Sequence, residues 1–107
     1  MNRLARFAFC FLALIPLFAF GGEAEKHNFT PKEGYVPNAA TAIKIAVAVW
    51  EPIYGVEKIA GEKPYKASLV GDVWVVQGSL PKGWLGGVAI AEISKSDGKI
   101  LRVSHGK

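Results

Sequence analysis

The sequence contains few of the residues that build disulfide frameworks or metal centres. It has one cysteine and two histidines in 107 residues. Cys10 lies in an apolar stretch near the start, and His27 and His105 are far apart with no ligand spacing around them. Disulfide scaffolds need several cysteines, and zinc sites need clustered ligands. We therefore predict neither an internal disulfide nor a metal or cofactor site.

The sequence also has little net charge of either sign. The formal charge is +4, and it falls to +2 if a leader containing Arg3 and Arg6 is removed. The chain has no basic stripe and no run of like charges, which nucleic-acid-binding domains usually show. A nucleic-acid partner is therefore not expected.

One long apolar run is present, from Phe7 to Phe20, preceded by Arg3 and Arg6 and followed by Gly21. This pattern is typical of a secretory signal peptide. The run is shorter than the roughly 18 to 20 apolar residues that span a bilayer, although an uncleaved anchor is the alternative. We expect residues 1–21 to be removed, residues 22–33 to form a flexible lead-in and residues 34–107 to form one domain. The mature protein would then be periplasmic or secreted, with no membrane contact.

Residues 38–54 carry the pattern of an amphipathic helix. Asn38 is suited to cap its start, and Gly55 to end it. Pro52 predicts either a kink or an earlier end. Apolar residues at helical spacing predict one buried stripe: Ile43, Ala46, Val47, Trp50, Ile53 and Tyr54. The residues that follow, 57–63, are expected to form a connection.

Two hairpins are predicted after the helix. Residues 65–70 and 73–80 flank Gly71-Asp72, and a glycine-first two-residue turn of type II′ pairs Val70 with Val73. The predicted inner face of this hairpin is Tyr65, Ala67, Leu69, Trp74, Val76 and Leu80. Residues 88–94 and 99–104 flank a turn containing Asp97-Gly98; a bulge at Gly98 would change its register, which stays open. The predicted class is α+β, with one N-terminal helix packed on a curved four-stranded antiparallel sheet.

A glycine-rich loop between the hairpins carries Trp84 and Leu85. Exposed loop aromatics are frequent binding anchors, and the alternative is that both side chains fold back over the core. The predicted partner-binding residues are these two with Lys82 of the same loop, and Lys66 and Gln77 on the outer face of the first hairpin. No catalytic residue is predicted.

Other polar residues of the sequence give little indication of a catalytic or metal site. Glu92 could serve as a base if it faced a cavity, but solvent or a lysine on a neighbouring strand is the simpler environment. His105 is interpreted as solvated or structural because no partner at ligand spacing accompanies it. Glu62, like Glu51 and Glu57, is interpreted as a solvated charge.

Blocks spread over nearly the whole region after residue 33 resemble the bacterial immunity proteins with a nuclear-transport-factor-2-like (NTF2-like) fold. The blocks are 34–37 (GYVP), 41–46 (TAIKIA), 49–55 (VWEPIYG), 63–65 (KPY), 78–81 (GSLP) and 97–107. The resemblance implies a non-enzymatic antidote that binds and neutralises a cognate toxin, here one acting outside the cytoplasm. The full fold usually has further helices that close a cone, so any pocket is expected to be shallow.

Two alternatives accompany this interpretation. A helix followed by a hairpin with Asp97-Gly98 is also similar to propeptide-type periplasmic peptidase-inhibitor (PepSY-like) domains. That alternative keeps a protein-binding role but changes the partner to a peptidase. The other alternative is a small cone-fold enzyme with Glu92 as its base.

Overall fold

A computed structural model describes residues 27–106 of the chain. Every described helix and strand belongs to one compact unit that begins at Pro31. The predicted signal peptide lies outside the described residues. Within residues 27–106, no helix combines the length and the apolar character needed to cross a bilayer.

The predicted helix is present as α1, Ala39–Tyr54. The Asn38 side chain accepts a hydrogen bond from the Thr41 backbone N–H at 2.9 Å, which confirms the predicted N-cap. Pro52 lies inside the helix without ending it. The helix ends at Gly55, whose φ of 104° is reached easily only by glycine.

The buried stripe of α1 differs from the predicted one. Ala42, Ala46 and Trp50, at i, i+4 and i+8, are fully buried, whereas Ile53 is 57% exposed. Ala42 was missed and Ile53 was wrongly placed in the stripe, because a long apolar run does not show which small residues face inward. The small side chains of Ala42 and Ala46 allow the helix backbone to approach the sheet, and the large Trp50 side chain is buried one turn after Ala46.

A second helix was missed. Residues expected to form a connection instead contain α2, Val56–Ala60, which ends at Gly61. Its Ile59 is fully buried. Gly61 follows this short helix, and the residue after it, Glu62, lies against the sheet.

The four strands are β1 (Lys66–Val70), β2 (Val73–Gln77), β3 (Ala89–Ser94) and β4 (Ile100–His105), in the spatial order β1-β2-β3-β4 and all antiparallel. The predicted pairing of the first hairpin is confirmed, including Val70 with Val73. Gly71 has φ 62°, the sign that the first position of a type II′ turn requires. The predicted class, a helix packed on a four-stranded antiparallel sheet, is therefore confirmed.

The register of the second hairpin is irregular away from the turn. Glu92 pairs with Arg102 and Ile93 pairs with Ile100, so Leu101 is an extra residue in β4. The bulge lies at Leu101 rather than at Gly98, which has φ 77° in the turn.

One face of the sheet packs against α1 and forms the core, and no helix among the described residues covers the other. The buried core comprises Val36, Ala42, Ala46, Trp50, Ile59, Trp74, Val76, Ala89, Ala91 and Ile93. Leu69 and Leu80 were predicted to be inward, but they are 45% and 37% exposed. Leu69 lies on the edge strand and Leu80 lies beyond the end of β2, so both fall outside the well-packed centre.

Candidate functional site

One end of the sheet collects most of the candidate site residues. Lys66 pairs with Gln77, Gln77 with Ile90, and Ala89 with His105. The first residues of β1 and β3 and the last residues of β2 and β4 therefore lie at the same end. The end of α2 and the loop between β2 and β3 also meet here.

A groove of about 580 Å³ lies at this end. Three segments line it: the end of α2 with the turn after it, the β2–β3 loop, and the end of β4. Its lining residues are Glu57, Lys58, Gly61, Glu62, Leu80, Pro81, Trp84, Leu85, Gly86, Gly87, His105 and Gly106. We call this feature the α2–loop groove.

Trp84 and Leu85 form part of the groove and face solvent. Trp84 is 68% exposed and Leu85 is 96% exposed, so the alternative in which they fold back over the core is wrong. The Trp84 N–H donates to the Pro81 carbonyl at 3.0 Å, and Gly83 has φ 84°, so the loop turns sharply at this point. A large aromatic surface held out on a turn has the exposure that a binding anchor requires.

The other three predicted binding residues lie near this groove but do not line it. Lys82 is exposed in the same loop. Lys66 and Gln77 face each other across β1 and β2 on the uncovered face, at the end of the sheet where the loop begins. The structure thus brings the five residues to one end of the sheet on two adjoining surfaces, and their role in binding stays a prediction.

Glu62 is not a solvated charge as predicted. It is only 7% exposed, and its Oε1 accepts a hydrogen bond from the Ala89 N–H at 2.8 Å. The Gly78 N–H donates to the Ala89 carbonyl, as it would if β2 and β3 continued as a regular antiparallel pair. In such a pair the Gly78 carbonyl would accept the Ala89 N–H, and here the Glu62 carboxylate accepts it. Burial of this carboxylate depends on tertiary contacts with β2 and β3, which local charge patterning did not reveal.

Gly78 provides the space for the Glu62 side chain. A Cβ built at Gly78 would lie 2.4 Å from Glu62 Oε1 and 2.8 Å from Glu62 Cβ. No side chain larger than hydrogen fits there while Glu62 stays in place. In the sequence, the glycine at this strand end was the one available signal that another group approaches closely.

His105 has a structural position, as the sequence suggested, but its partner was missed. Its Nε2 lies 2.7 Å from Glu62 Oε2, and its Nδ1 lies 2.7 Å from the Gly106 carbonyl oxygen. The Tyr54 ring centroid is 5.0 Å from the imidazole centroid. Glu62 and His105 are 43 residues apart, so no motif links them in the sequence.

Tyr65 is tied to the end of α2 and lies within electrostatic reach of Glu62. Its hydroxyl donates to the Ile59 carbonyl at 2.8 Å. Burial raises the pKa of Tyr65, and the negative charges of Glu51 and Glu62 raise it further. The neutral hydroxyl is the form that can make this hydrogen bond.

Glu92 lies elsewhere. Its Oε2 is 3.1 Å from Arg102 Nη1 on the neighbouring strand, on the uncovered face. The charge partner is thus an arginine where a lysine or solvent was expected. Glu92 does not line the α2–loop groove, and in residues 27–106 no group of three or more histidine, cysteine or acidic residues is placed to hold a metal ion.

Comparison with known proteins identifies the family. The sequence profile of a family described as NTF2 fold immunity protein matches residues 41–107. The uncharacterized protein YhhH of Escherichia coli K12 is 40% identical over 73 residues, which cover 67% of this chain and 58% of YhhH. The uncharacterized protein YbbC of the same strain is 38% identical over 73 residues, which cover 67% of this chain and 60% of YbbC.

The chain therefore spans about three fifths of the length of these two curated relatives. No solved structure matches it. The family match covers well over half of the chain and includes all four strands and most of α1. This protein therefore belongs to the NTF2 fold immunity protein family.

Proposed function

We propose that this protein is an exported, non-catalytic immunity protein that binds a cognate bacterial toxin and neutralises it. The observation that carries the proposal is the exposed pair Trp84 and Leu85 on the wall of the α2–loop groove, in a chain of an immunity family. The leader-like residues 1–21 support the export part of the proposal, and the toxin would then act in the periplasm or outside the cell.

The groove has the character of a protein-binding site. Its wall presents apolar side chains from Leu80, Trp84 and Leu85, and its rim carries one charge of each sign from Glu57 and Lys58. Protein interfaces commonly combine an aromatic anchor with a polar rim. Such a surface is suited to receiving an apolar side chain from the toxin.

The arrangement of polar groups supports binding rather than catalysis. The groove contains one histidine, and both of its ring nitrogens are engaged, by Glu62 and by the Gly106 carbonyl. A general base needs a free lone pair within reach of the substrate proton. Glu92, the base of the enzymatic alternative, is paired with Arg102 on the uncovered face instead.

The first experiment tests neutralisation. The protein is co-expressed with the product of the neighbouring reading frame, directed to the periplasm, and growth is compared with and without the full-length chain. Rescue of growth supports the proposal. The neighbouring product is not the cognate toxin if it is toxic but the correctly exported protein neither binds it nor restores growth. In that case the protein is used for affinity purification from the periplasm of the native host. If this purification captures no toxin either, the proposal is rejected.

The second experiment tests the site with a matched pair of leucines. Trp84→Ala and Leu85→Ala remove groove side chains, whereas Leu101→Ala truncates a 47% exposed leucine in the β4 bulge. A hot-spot tryptophan costs about 2 kcal/mol or more when truncated, which is roughly a 30-fold loss of affinity. We expect that loss for Trp84→Ala, a smaller one for Leu85→Ala and none for Leu101→Ala. Equal affinities for all three variants and the wild type would place the toxin elsewhere on the protein.

Export is tested by mass spectrometry of the protein recovered from a periplasmic fraction. Cleavage after Gly21 predicts a product that begins at Gly22 and lacks Cys10. Recovery of the intact chain from the cytoplasm only would contradict the export part of the proposal.

A further inference from the structure

The four-stranded sheet has two open edges, β1 and β4, because the strands lie in the order β1-β2-β3-β4. An open edge presents unpaired backbone N–H and C=O groups that can pair with another strand. The bulge at Leu101 interrupts β4, and a bulge is one of the features that protect an edge. β1 contains neither a bulge nor a proline, and it pairs with β2 in regular register over its whole length. β1 is therefore the edge better suited to strand addition.

The register of the first hairpin determines which backbone groups of β1 point outward. In a two-residue hairpin, the residues that flank the turn exchange both backbone hydrogen bonds, here Val70 and Val73, and every second pair does the same. The Gly78 N–H donates to β3 at 3.0 Å, as this alternation requires. The backbone groups of Ala67 and Leu69 therefore point away from β2, and no strand in the described part of the chain pairs with them.

The outward backbone groups of β1 are complementary to those of a second copy of the chain. If two antiparallel β1 strands are related by a two-fold axis at Ser68, Ala67 of each copy lies opposite Leu69 of the other. Both of these pairs can exchange backbone hydrogen bonds, and all five residues of each strand overlap. The Leu69 side chain, which is 45% exposed, then lies beside the small side chain of Ala67 in the second copy.

The charges at the two ends of β1 match in the same register. Lys66 and Asp72 are exposed, and neither forms an ion pair within residues 27–106. Lys66 lies opposite Val70 of the second copy, and Asp72 of that copy is two residues further along. Diagonal neighbours at this spacing are within reach of a long side chain, and opposite charges there stabilise the pairing. The two-fold axis creates this pair of charges twice.

We propose that the β1 edge is a self-association site, at which two copies of this chain join their sheets through antiparallel β1 strands. Each α2–loop groove lies at the end of the sheet where β1 begins. Because the two β1 strands run in opposite directions, the grooves lie at opposite ends of the joined sheet. The dimer therefore presents two toxin sites, a consequence that rests on the proposed function, whereas the dimer itself does not.

A charge exchange tests the register on the protein alone, as it is recovered from cells that express the full-length gene. We expect analytical ultracentrifugation to show a dimer. Lys66→Glu should weaken dimerisation about tenfold, because both charge pairs change from attraction to repulsion. Adding Asp72→Lys to that variant restores opposite charges and should return the dissociation constant to within about threefold of the wild type. Lys99→Glu changes the net charge equally in the exposed turn before β4 and should leave dimerisation unchanged.

The substitution Leu69→Pro tests the backbone pairing. The Leu69 N–H points outward, so proline removes no hydrogen bond to β2, but it removes a donor from the shared edge and should abolish the dimer. Leu69→Ala keeps that N–H and should still dimerise. Circular dichroism verifies that each variant is folded, and the charge exchange decides the matter if Leu69→Pro is unfolded.

Two results would overturn the proposal. One is a wild-type protein that is monomeric at every concentration that ultracentrifugation can measure. The other is a dimer that persists unchanged in Lys66→Glu and in folded Leu69→Pro, since the two copies would then be joined through another surface. Neither measurement involves the toxin, so failure of this proposal is distinguishable from failure of the proposed function.

Discussion

The substitution Gly78→Ala tests the packing of Glu62 against the sheet. It changes the free energy of unfolding in two opposite ways, through the restriction of the unfolded chain and through a steric conflict with Glu62. Gly78 does not have positive φ, so its backbone accepts an alanine. Where the native backbone is compatible, Gly→Ala stabilises by about 0.4–1 kcal/mol by restricting the unfolded chain. In the absence of a steric conflict, the variant would be more stable than the wild type.

The structure predicts the opposite sign. The added methyl group would lie 2.4 Å from Glu62 Oε1 and 2.8 Å from Glu62 Cβ. The carboxylate end could swing away, but Cβ moves only with the backbone. Overpacking costs about 1–3 kcal/mol, and leaving the Ala89 N–H without its acceptor costs about 1–3 kcal/mol. After the favourable backbone effect is subtracted, we expect a net loss of about 1–6 kcal/mol.

Gly61→Ala is the matched control. Gly61 directly precedes Glu62, has φ −71°, and its added Cβ would lie 3.4 Å from the nearest atom, the Lys58 carbonyl oxygen. It should therefore gain about 0.4–1 kcal/mol. Both variants are compared with the wild type by urea unfolding followed by tryptophan fluorescence and by thermal melts. A loss of about 2 kcal/mol corresponds to roughly 8–16 °C in Tm for a domain of this size. If Gly78→Ala is as stable as Gly61→Ala, Glu62 does not occupy the position described.

Three further predictions concern the helix, the core and the tyrosine cluster. Asn38→Ala should cost about 1 kcal/mol by removing the cap of α1, whereas Asn38→Ser should cost only a few tenths, and urea midpoints will show the difference. Trp50→Ala should cost about 3–5 kcal/mol, because the side chain is fully buried and its Nε1 donates to the Ile90 carbonyl at 3.3 Å; a loss under 1 kcal/mol would contradict the packing of α1 on the sheet. Because the pKa of folded Tyr65 is raised above 10.0, its neutral form contributes stability that is fully present below pH 10 and lost as pH rises through the folded pKa. Absorbance at 295 nm should therefore show a late ionisation that Tyr65→Phe removes.

Local residue patterns were sufficient for the main helix and for the first hairpin. Asn38 and Gly55 marked the two ends of the helix in the sequence. A side-chain cap and a positive φ each depend on the type of a single residue, so both can be recognised without knowledge of the tertiary structure. Gly71 likewise indicated the register of β1 and β2, because the residues of the turn determine which strand residues are paired. The resemblance to the immunity family was also carried by short blocks of sequence, and the family match confirmed it.

The errors in the predicted fold occurred where burial depends on distant contacts. The choice between Ala42 and Ile53 as inward residues depends on how the helix lies on the sheet. The register of the second hairpin was left open by the sequence rather than predicted wrongly, because the position of the bulge at Leu101 depends on how β4 pairs with β3. The short helix α2 was missed because a single turn has little periodicity of its own and is stabilised by the burial of Ile59.

The candidate site shows the same division. Trp84 and Leu85 were recognisable because an apolar pair in a glycine-rich loop is unusual wherever the loop lies. The Glu62–His105 pair was not, because each residue alone resembles an ordinary polar residue and the two are separated by 43 positions. The sequence by itself determined which segments form the helix and the strands, since those depend on neighbours along the chain. Only the tertiary structure decided that a carboxylate after α2 would be buried beside the last residue of β4, since that contact exists only after the sheet and the helices have packed together.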